Sequence, residues 1–578
     1  MSAHRHPIAL FVLSLLVAPP SVRAEGASSA QTSSTAPFTL SIVSTNDLHG
    51  RIEQLPLFGG YVRNLREARR RDHGAVLLLD AGDMFQGTLE SNLGEGAAVV
   101  RAYDALGYTA ATVGNHELDY GPAGPASVPS APGDDPLGAL VARVKQAHFA
   151  VVSANLKQKE HDAPGVPGVR PSVLREVHGV KVGIVGGLTK DALMLTQPAN
   201  VGGLSLSDLG SSIATEAAAL RAQGASLVIA LVHAGGECHD FHDPADVSSC
   251  DPKAEVFELA SQLEGKGVDL IVAGHTHDGV AHRVHGIPVI EAYANGRAFG
   301  RVDLQLDRQG HVLEARIFEP HALCEEAVDR PPCTTELYEG KKVDRDAKVS
   351  RAIAHDLERA KKERARPLGV ELTSDLPRVQ KAESALGNLV ADLLHEDFPD
   401  ADAVVNNGGS VRTGLPAGKL TYGRLFELFP FDNAFVTLHI DARTLAVMIA
   451  NNLQADRGFL SISGLRAVAR CERGKLAVEL LRPSGERVAA ETQLRVVTSD
   501  FLASGGDGLL RGLALPATAI EAHPGRLMRD ALVKGLSAFP GGHIAGEDPR
   551  WLDPAHPRVV YPGQRPVACA ALRAGRGG

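Results

Sequence analysis

The sequence predicts an α/β layered fold in more than one domain, and three observations lead there. The chain is 578 residues long, whereas a single hydrophobic core stops growing near ~250–300 residues. Short β-branched or apolar runs recur between Phe38 and Ala292, with helix-like stretches between several of them; that alternation is the mark of layered α/β structure. A highly charged segment, "DRDAKVSRAIAHDLERAKKERA", then separates this half from a compositionally distinct second one.

The elements follow in order. The opening "MSAHRHPIALFVLSLLVAPPSVRA" has a basic Arg5, an apolar core from Ile8 to Ala18 and a small residue at Ala24. This predicts a secretory signal over residues 1–24, and so a periplasmic or secreted protein. The apolar run is short of the ~20 residues that span a bilayer, and no later segment reaches that length, so no membrane span is expected. Residues 25–37 are small and polar and read as a disordered linker.

The first domain is expected over residues 38–343. Its strand candidates are Phe38–Val43, Ala75–Leu79, Ala110–Val113, Phe149–Ser153, Val180–Val185, Leu227–Val232, Leu270–Ala273 and Val289–Ala292. Helices are expected at Tyr61–Arg71 and Ser207–Gln223. Residues 121–137, rich in Gly, Pro and Ser, read as a surface insertion. Val349, Ile353 and Leu357 recur every four residues and give a thin apolar stripe, so residues 344–366 read as a linker helix. A second domain is expected over residues 367–578.

Charge and cysteines narrow the function classes. Net charge is −9 and the 59 basic residues are spread out, so the electrostatic footprint of a nucleic-acid binder is absent and no nucleic-acid partner is expected. Six cysteines in an exported chain suggest disulfides. The short-range pairs Cys238–Cys250 and Cys324–Cys333 are favoured. Cys471 and Cys569 remain, and a bond between them would pack the tail from His543 to Gly578 onto the second domain. No C-x-x-C pair points to a structural zinc.

The chemistry sits at strand ends. "STNDLHG" supplies Asp47 and His49, "DAGDMFQG" supplies Asp80 and Asp83, "GNHELDYG" supplies Asn115, His116 and Asp119, "ALVHAGG" supplies His233, and "IVAGHTHDG" supplies His275 and His277. Each group follows the carboxyl end of an expected strand, the edge where sites form in open α/β sheets. Oxygen and imidazole ligands without thiols suit Zn, Mn, Fe, Co or Ni. Seven ligands with one shared carboxylate can hold two ions, and two metals roughly 3.5–4 Å apart clamp an in-line displacement at phosphorus.

In this order the motifs resemble the calcineurin-like metallophosphoesterases, and the wider chain resembles the 5′-nucleotidases, which include the periplasmic UDP-sugar hydrolases. The resemblance runs from Thr39 to about Leu510. It implies a four-layer αββα catalytic domain, a linker helix and a smaller α+β substrate-binding domain. It implies that Asp47, His49, Asp83 and His277 would hold one divalent metal ion (Zn, Mn, Co or Fe), and that Asp83, Asn115, His233 and His275 would hold a second. Attack at phosphorus would come from a water that the metals activate. His116 would stabilise the phosphoryl charge and assist the leaving oxygen, oriented by Asp119.

"NGGSVR", "FPFDN" and "FLASGGDG" resemble C-terminal motifs of that family. Phe431 and Phe501 would sandwich a base, Asp507 would accept from ribose hydroxyls, Asn407 would meet the base edge, and Arg412 would pair with phosphate. The family Arg before the "E-x-x-x-GN" helix is here Ala382, and Arg378 is the candidate to replace it on a phosphate. The implied activity is release of phosphate from nucleotides, with nucleotide sugars and 2′,3′-cyclic nucleotides as further substrates. The alternatives are a related hydrolase of a non-nucleotide ester and a catalytically silent nucleotide-binding relative.

Overall fold

The computed structural model describes residues 37–569 except 125, 130, 162 and 324–336. The signal and linker expected over residues 1–37 lie almost wholly outside the described residues, as does the Cys324–Cys333 pair. Strands β1 (Phe38–Thr45), β2 (Ala75–Asp80), β3 (Ala110–Thr112) and β4 (Ala150–Val152) pair in parallel as the body of one six-stranded sheet. Strands β5 (Ser172–Val177), β6 (Val180–Leu188), β7 (Leu227–His233), β8 (Leu270–Val272), β9 (Gly279–Val284) and β10 (Ile287–Ala292) form a second sheet. Strands β11 (Ala298–Leu306) and β12 (Val312–Ala322) return antiparallel to extend the first sheet beyond β1.

Strand periodicity builds the layers. Leu40, Ile42, Leu77 and Leu79 of one sheet share a core with Val182, Ile184, Ile229 and Leu231 of the other. The intervening Val43 and Leu78 point the opposite way, into a core shared with helices. Because these strands are buried on both faces, they read as continuous apolar runs. Burying each such side chain stabilises by roughly 1.5–3 kcal/mol. Helices α1 (Leu55–Arg71), α2 (Ala97–Leu106) and α3 (Gly138–Gln146) cover the first sheet, and α4 (Leu209–Ala222) and α5 (Glu255–Leu263) cover the second. The result is the four-layer αββα sandwich.

Helix α1 starts six residues before the expected Tyr61. Pro56 looks like a breaker but sits in the first turn, where its missing N–H costs nothing. Gly59 and Gly60 look like breakers too. They are there for close approach: a Cβ at Gly59 would stand 2.7 Å from the Asp346 Cβ, and one at Gly60 would collide with the Asp344 carbonyl.

Asp344 and Asp346 lead into helix α6 (Ala347–Arg364), whose N-terminal amides at Lys348 and Val349 donate to the Asp346 carboxylate. The thin stripe is well used. Val349 and Ile353 are fully buried in the first half's core. At the other end Ala360 packs with Leu89 and with Phe426 of the second half, and Arg364 pairs with both Glu90 and Glu427. The helix is thus fastened to both halves.

The second half centres on a five-stranded sheet of Leu460–Ser463, Ala403–Asn407, Gln493–Ser499, Ala434–Asp441 and Ile520–Leu527, in that spatial order. The "E-x-x-x-GN" helix is Ala385–Glu396, capped by the Ser384 side chain. The tail packs here: His543–Ile544 and Val559–Val560 each add to a sheet, Trp551 is buried, and Cys471–Cys569 is a disulfide. Cys238–Cys250 is the other described disulfide. The 121–137 segment is not wholly a surface insertion. Gly121, Pro122 and Val128 are buried, and the Ser127 hydroxyl donates to the Asp432 carbonyl of the second half at 2.9 Å.

Candidate active site

The strand-end groups converge at the carboxyl edge of the two sheets. Asp47 and His49 follow β1, Asp83 follows β2, Asn115 to Asp119 follow β3, His233 ends β7, and His275 and His277 follow β8. Five of these, Asp47, His49, Asp83, His275 and His277, have positive φ. Left-handed backbone at non-glycine residues is held at a cost, and it collects where side chains must be aimed. Gly114 serves the same crowding, since a Cβ there would overlap the Asp83 carboxylate.

Two clusters result. In the first, His277 Nε2 lies 3.0 Å from His49 Nε2 and 3.4 Å from Asp47 Oδ1. In the second, His233 Nε2 lies 3.2 Å from Asp83 Oδ2, 3.2 Å from Asn115 Oδ1 and 3.1 Å from His275 Nδ1. Asp83 joins the two, because its carboxylate also falls within 4.8 Å of His49 and His116 ring nitrogens.

The donor chemistry fits a pair of cations. His49 Nδ1–H donates to the Gln86 carbonyl and His233 Nδ1–H to the Ala81 carbonyl. Each bond fixes the tautomer that turns the Nε2 lone pair inward. Burial pushes the His49 and His275 imidazoles down to about 4, so both are neutral, as ligands must be. Burial opposes charge on Asp83 as well, but the surrounding His233 and His116 hold its carboxyl well below the usual range. Asp47 Oδ1 is buried with no hydrogen-bond partner. Against its burial, the Asp83 and Asp47 carboxylates raise His233 to about 10, so without ions the cluster gathers a proton where bound cations would supply the positive charge.

His116 stands beside these clusters. Its Nδ1 is 2.5 Å from Asp119 Oδ2, and Asp119 Oδ1 accepts from the Thr196 hydroxyl at 2.7 Å. Burial would lower the His116 imidazole, but the charges of Asp119 and Asp83 outweigh it and raise it to about 9. A cationic donor is therefore held at neutral pH.

A cavity opens from His116 and Asp119 across to the second half. On the first side Tyr120, Thr196 and Gln197 line it; on the far side stand Asn407, Arg412, Phe431, Phe501 and Asp507. Asn407 donates to Asp507 Oδ2 at 2.7 Å, Gly506 lies under the Phe501 ring, and the Arg412 guanidinium stands 5.6 Å from the Phe431 centroid. Five of the six expected substrate residues thus share one wall. Arg378 does not line the cavity: its Nε donates to the Val411 carbonyl at 2.8 Å and props the loop that carries Arg412. Closeness in sequence to the family position did not bring it to the ligand side.

Sequence reading gave no role to Glu117. It is buried, and its carboxylate accepts from the amides of Asp83, Met84, Phe85 and Gly114. It therefore splices the loops after β2 and β3 together. Burial and the Asp83 charge push this carboxyl up to about 8, so above that pH Glu117→Gln turns one acceptor oxygen into a donor against those amides and should cost on the order of 2–3 kcal/mol, read as a lower midpoint in thermal unfolding of the metal-free protein. Thr196 and Gln197 were also missed. Gln197 donates to Asp500 Oδ2 at 2.7 Å across the cavity mouth.

Among four-layer α/β proteins, this site defines the class of metal-dependent phosphoric ester hydrolases. Residues 40–279 match the family model for calcineurin-like phosphoesterases, and residues 363–513 match that for the C-terminal domain of 5′-nucleotidases. The two halves of the chain thus match, in order, a calcineurin-like phosphoesterase domain and a 5′-nucleotidase C-terminal domain. It is 27% identical over 536 residues to a snake venom 5′-nucleotidase of Gloydius brevicauda, covering 82% of this chain and 83% of that one. It is 28% identical to the snake venom 5′-nucleotidase of Naja atra, over 82% of this chain and 92% of its relative. The fold is shared with the crystal structure of a 5′-nucleotidase precursor from Thermus thermophilus, with a TM-score of 0.64 and 24% identity over 91% of this chain and 99% of that one.

Proposed function

We propose that this chain is an exported hydrolase that releases phosphate from nucleotides, with nucleotide sugars and 2′,3′-cyclic nucleotides as further substrates. The observation that carries the reading is the single cavity with His116 and Asp119 at one end and Phe431, Phe501 and Asp507 at the other. That span suits a phosphoester joined to a flat, apolar base. Export rests on the apolar segment Ile8–Ala18 and agrees with two disulfides; no helix among the described residues is long and apolar enough to cross a membrane.

Asp47, His49 and His277, with Asp83, would hold one divalent ion, and Asp83, Asn115, His233 and His275 the other. Such ions supply Lewis-acid activation of water and of the phosphoryl oxygens. The chain's own groups do the rest. His116 faces the phosphoryl group, offers its Nε2 proton to the leaving oxygen and stabilises the charge that develops there. Asp119, held by Thr196, keeps that ring oriented and charged. Phe431 and Phe501 stack on the base, Asp507 accepts from ribose hydroxyls, and Asn407 meets the base edge. Arg412 is exposed and lines the cavity beside Phe431, which offers its guanidinium to phosphate oxygens.

The two phenylalanines of "FPFDN" separate binding from stability. Phe431 lines the cavity, whereas Phe429 is fully buried in the core. Phe431→Ala should weaken nucleotide binding by roughly 1–3 kcal/mol, the worth of one stacked ring, seen as a raised KM with an unchanged unfolding midpoint. Phe429→Ala should cost roughly 3–5 kcal/mol of stability instead.

The direct test is phosphate release from AMP, ADP, ATP, UDP-glucose and 2′,3′-cyclic AMP, with Mn, Co, Zn or a chelator in parallel. Turnover that the chelator abolishes is expected. No turnover of any nucleotide by protein carrying two bound ions would overturn the substrate assignment, beginning with the phenylalanine pair.

A further inference from the structure

His282 lies on β9, is fully buried, and neither of its ring nitrogens has a hydrogen-bond partner. An unpartnered buried polar group of this kind costs on the order of 1–3 kcal/mol, and a leucine would fill the place without it. The Asp246 carboxylate acts on the ring only electrostatically, and the groups gathered around a ring nitrogen are sulfurs. The Cys238–Cys250 sulfurs and a His282 ring nitrogen all fall within 4.8 Å of one another. The Phe241 ring closes another side, with its centroid 5.9 Å from that of the imidazole.

Backbone bonds hold the three side chains in place in addition to the disulfide. Cys238 and Cys250 oppose each other across a β-bridge. The Cys238 amide donates to the Gly279 carbonyl at 3.0 Å, and the Arg283 amide donates to the Pro244 carbonyl at 2.7 Å. The loop is therefore stitched to both ends of β9, with His282 between the stitches. None of these three residues belongs to the Asp, His and Asn clusters of the active site, which contain no sulfur.

We propose that Cys238, Cys250 and His282 form a latent, redox-gated site for a thiophilic divalent cation of the Zn²⁺ type. With the disulfide intact the sulfurs are bonded to each other and the site is shut. A dithiol opens it by exchange: its two thiols transfer two electrons and two protons to the S–S bond, leaving two cysteine thiols and the oxidised dithiol. Cation binding then displaces the two thiol protons, and two thiolates plus a neutral imidazole make a three-ligand set with the fourth position open to water. Thiolate ligands select soft ions over the harder ones that an all-oxygen-and-nitrogen site accepts.

Cobalt(II) is the probe, because thiolate ligation gives it a near-ultraviolet charge-transfer band that the sulfur-free active site cannot produce. The full chain is reduced with a phosphine, desalted without oxygen, and titrated with Co²⁺ while circular dichroism reports folding. The reduced wild type should develop the band and release two protons per cobalt at this site; the oxidised protein should not develop it. His282→Leu should need at least about tenfold more cobalt, and Cys238→Ser/Cys250→Ser should show no band. Cys471→Ser/Cys569→Ser should keep it. If reduction unfolds the chain, recovery of the fold together with the band on adding cobalt supports the site, and unfolding that cobalt does not reverse overturns it. A reduced wild type without the band, or a His282→Leu titration identical to the wild type, also overturns it. None of these readouts depends on phosphohydrolase activity.

Discussion

Replacing His116 with Asn is expected to lower turnover by ~10²–10⁴-fold, the usual worth of a positioned general acid, while leaving bound metal unchanged. The ring nitrogens of His116 lie close enough to Asp83 and His49 to be counted with them, so geometry by itself admits a ligand role. The hydrogen bonding argues otherwise: His116 Nδ1 is committed to the Asp119 carboxylate at 2.5 Å, whereas His49 and His233 use Nδ1 on backbone carbonyls and turn Nε2 to the clusters. Metal analysis of His116→Asn beside its kinetics decides the matter. Loss of an ion along with activity would make His116 a ligand and remove the general acid from the site.

The same pair gives a pH test in the metal-free protein. The folded pKa of His116 is above the ordinary value of 6.5, so its ionisation contributes stability in full below about 6.5 and loses it as pH rises through about 9. Asp119→Asn removes the larger of the two charges that raise it. The His116 ring signal in a magnetic-resonance titration should then move to a lower midpoint, and stability should become flatter across pH 6.5 to 9. An unmoved midpoint would mean that Asp83, not Asp119, sets the charge of His116.

How much of this was legible in the sequence depends on where the information resides. The eight strands expected between Phe38 and Ala292 were readable because strands buried on both faces are apolar without interruption; the edge strands β5 and β9 of the second sheet were missed. Strands β11 and β12 were not: Val312–Ala322 is largely exposed and mixes Glu, Arg and His with its apolar residues, and the mostly buried Ala298–Leu306 is interrupted by the paired Arg301 and Asp303. The strand-end cluster of candidate ligands was readable because each group lies at the end of a strand that announces itself. Glu117, Thr196 and Gln197 were not, because their work is done across 34, 77 and 303 residues of chain, and nothing local distinguishes a carboxylate that gathers amides from one that faces water. Arg378 shows the converse. A basic residue near the right motif carried the right charge, yet Arg378 does not line the cavity and its Nε donates to the Val411 carbonyl. Local sequence told that the loop mattered and not which way the arginine faced.

Asp83→Asn should have the widest effect of any single change, because this carboxylate belongs to both clusters. One oxygen lies 3.2 Å from His233 Nε2, and the other accepts from the His116 amide at 2.9 Å, so the amide of Asn can retain at most part of this bonding. The change is nearly isosteric and keeps an acceptor oxygen; what it removes is the negative charge. Two cations held close together repel, and a shared anion is the group that offsets the repulsion. Bound metal should therefore fall from two ions per chain to fewer than one, and turnover should fall with it to the background of the chelated protein. Asp47→Asn touches the first cluster only, so it should spare the ion held by His233, His275 and Asn115. Measuring metal content in both variants separates a bridge from an ordinary ligand: equal losses would mean that Asp83 serves a single ion, and that the two clusters are independent sites which happen to be neighbours.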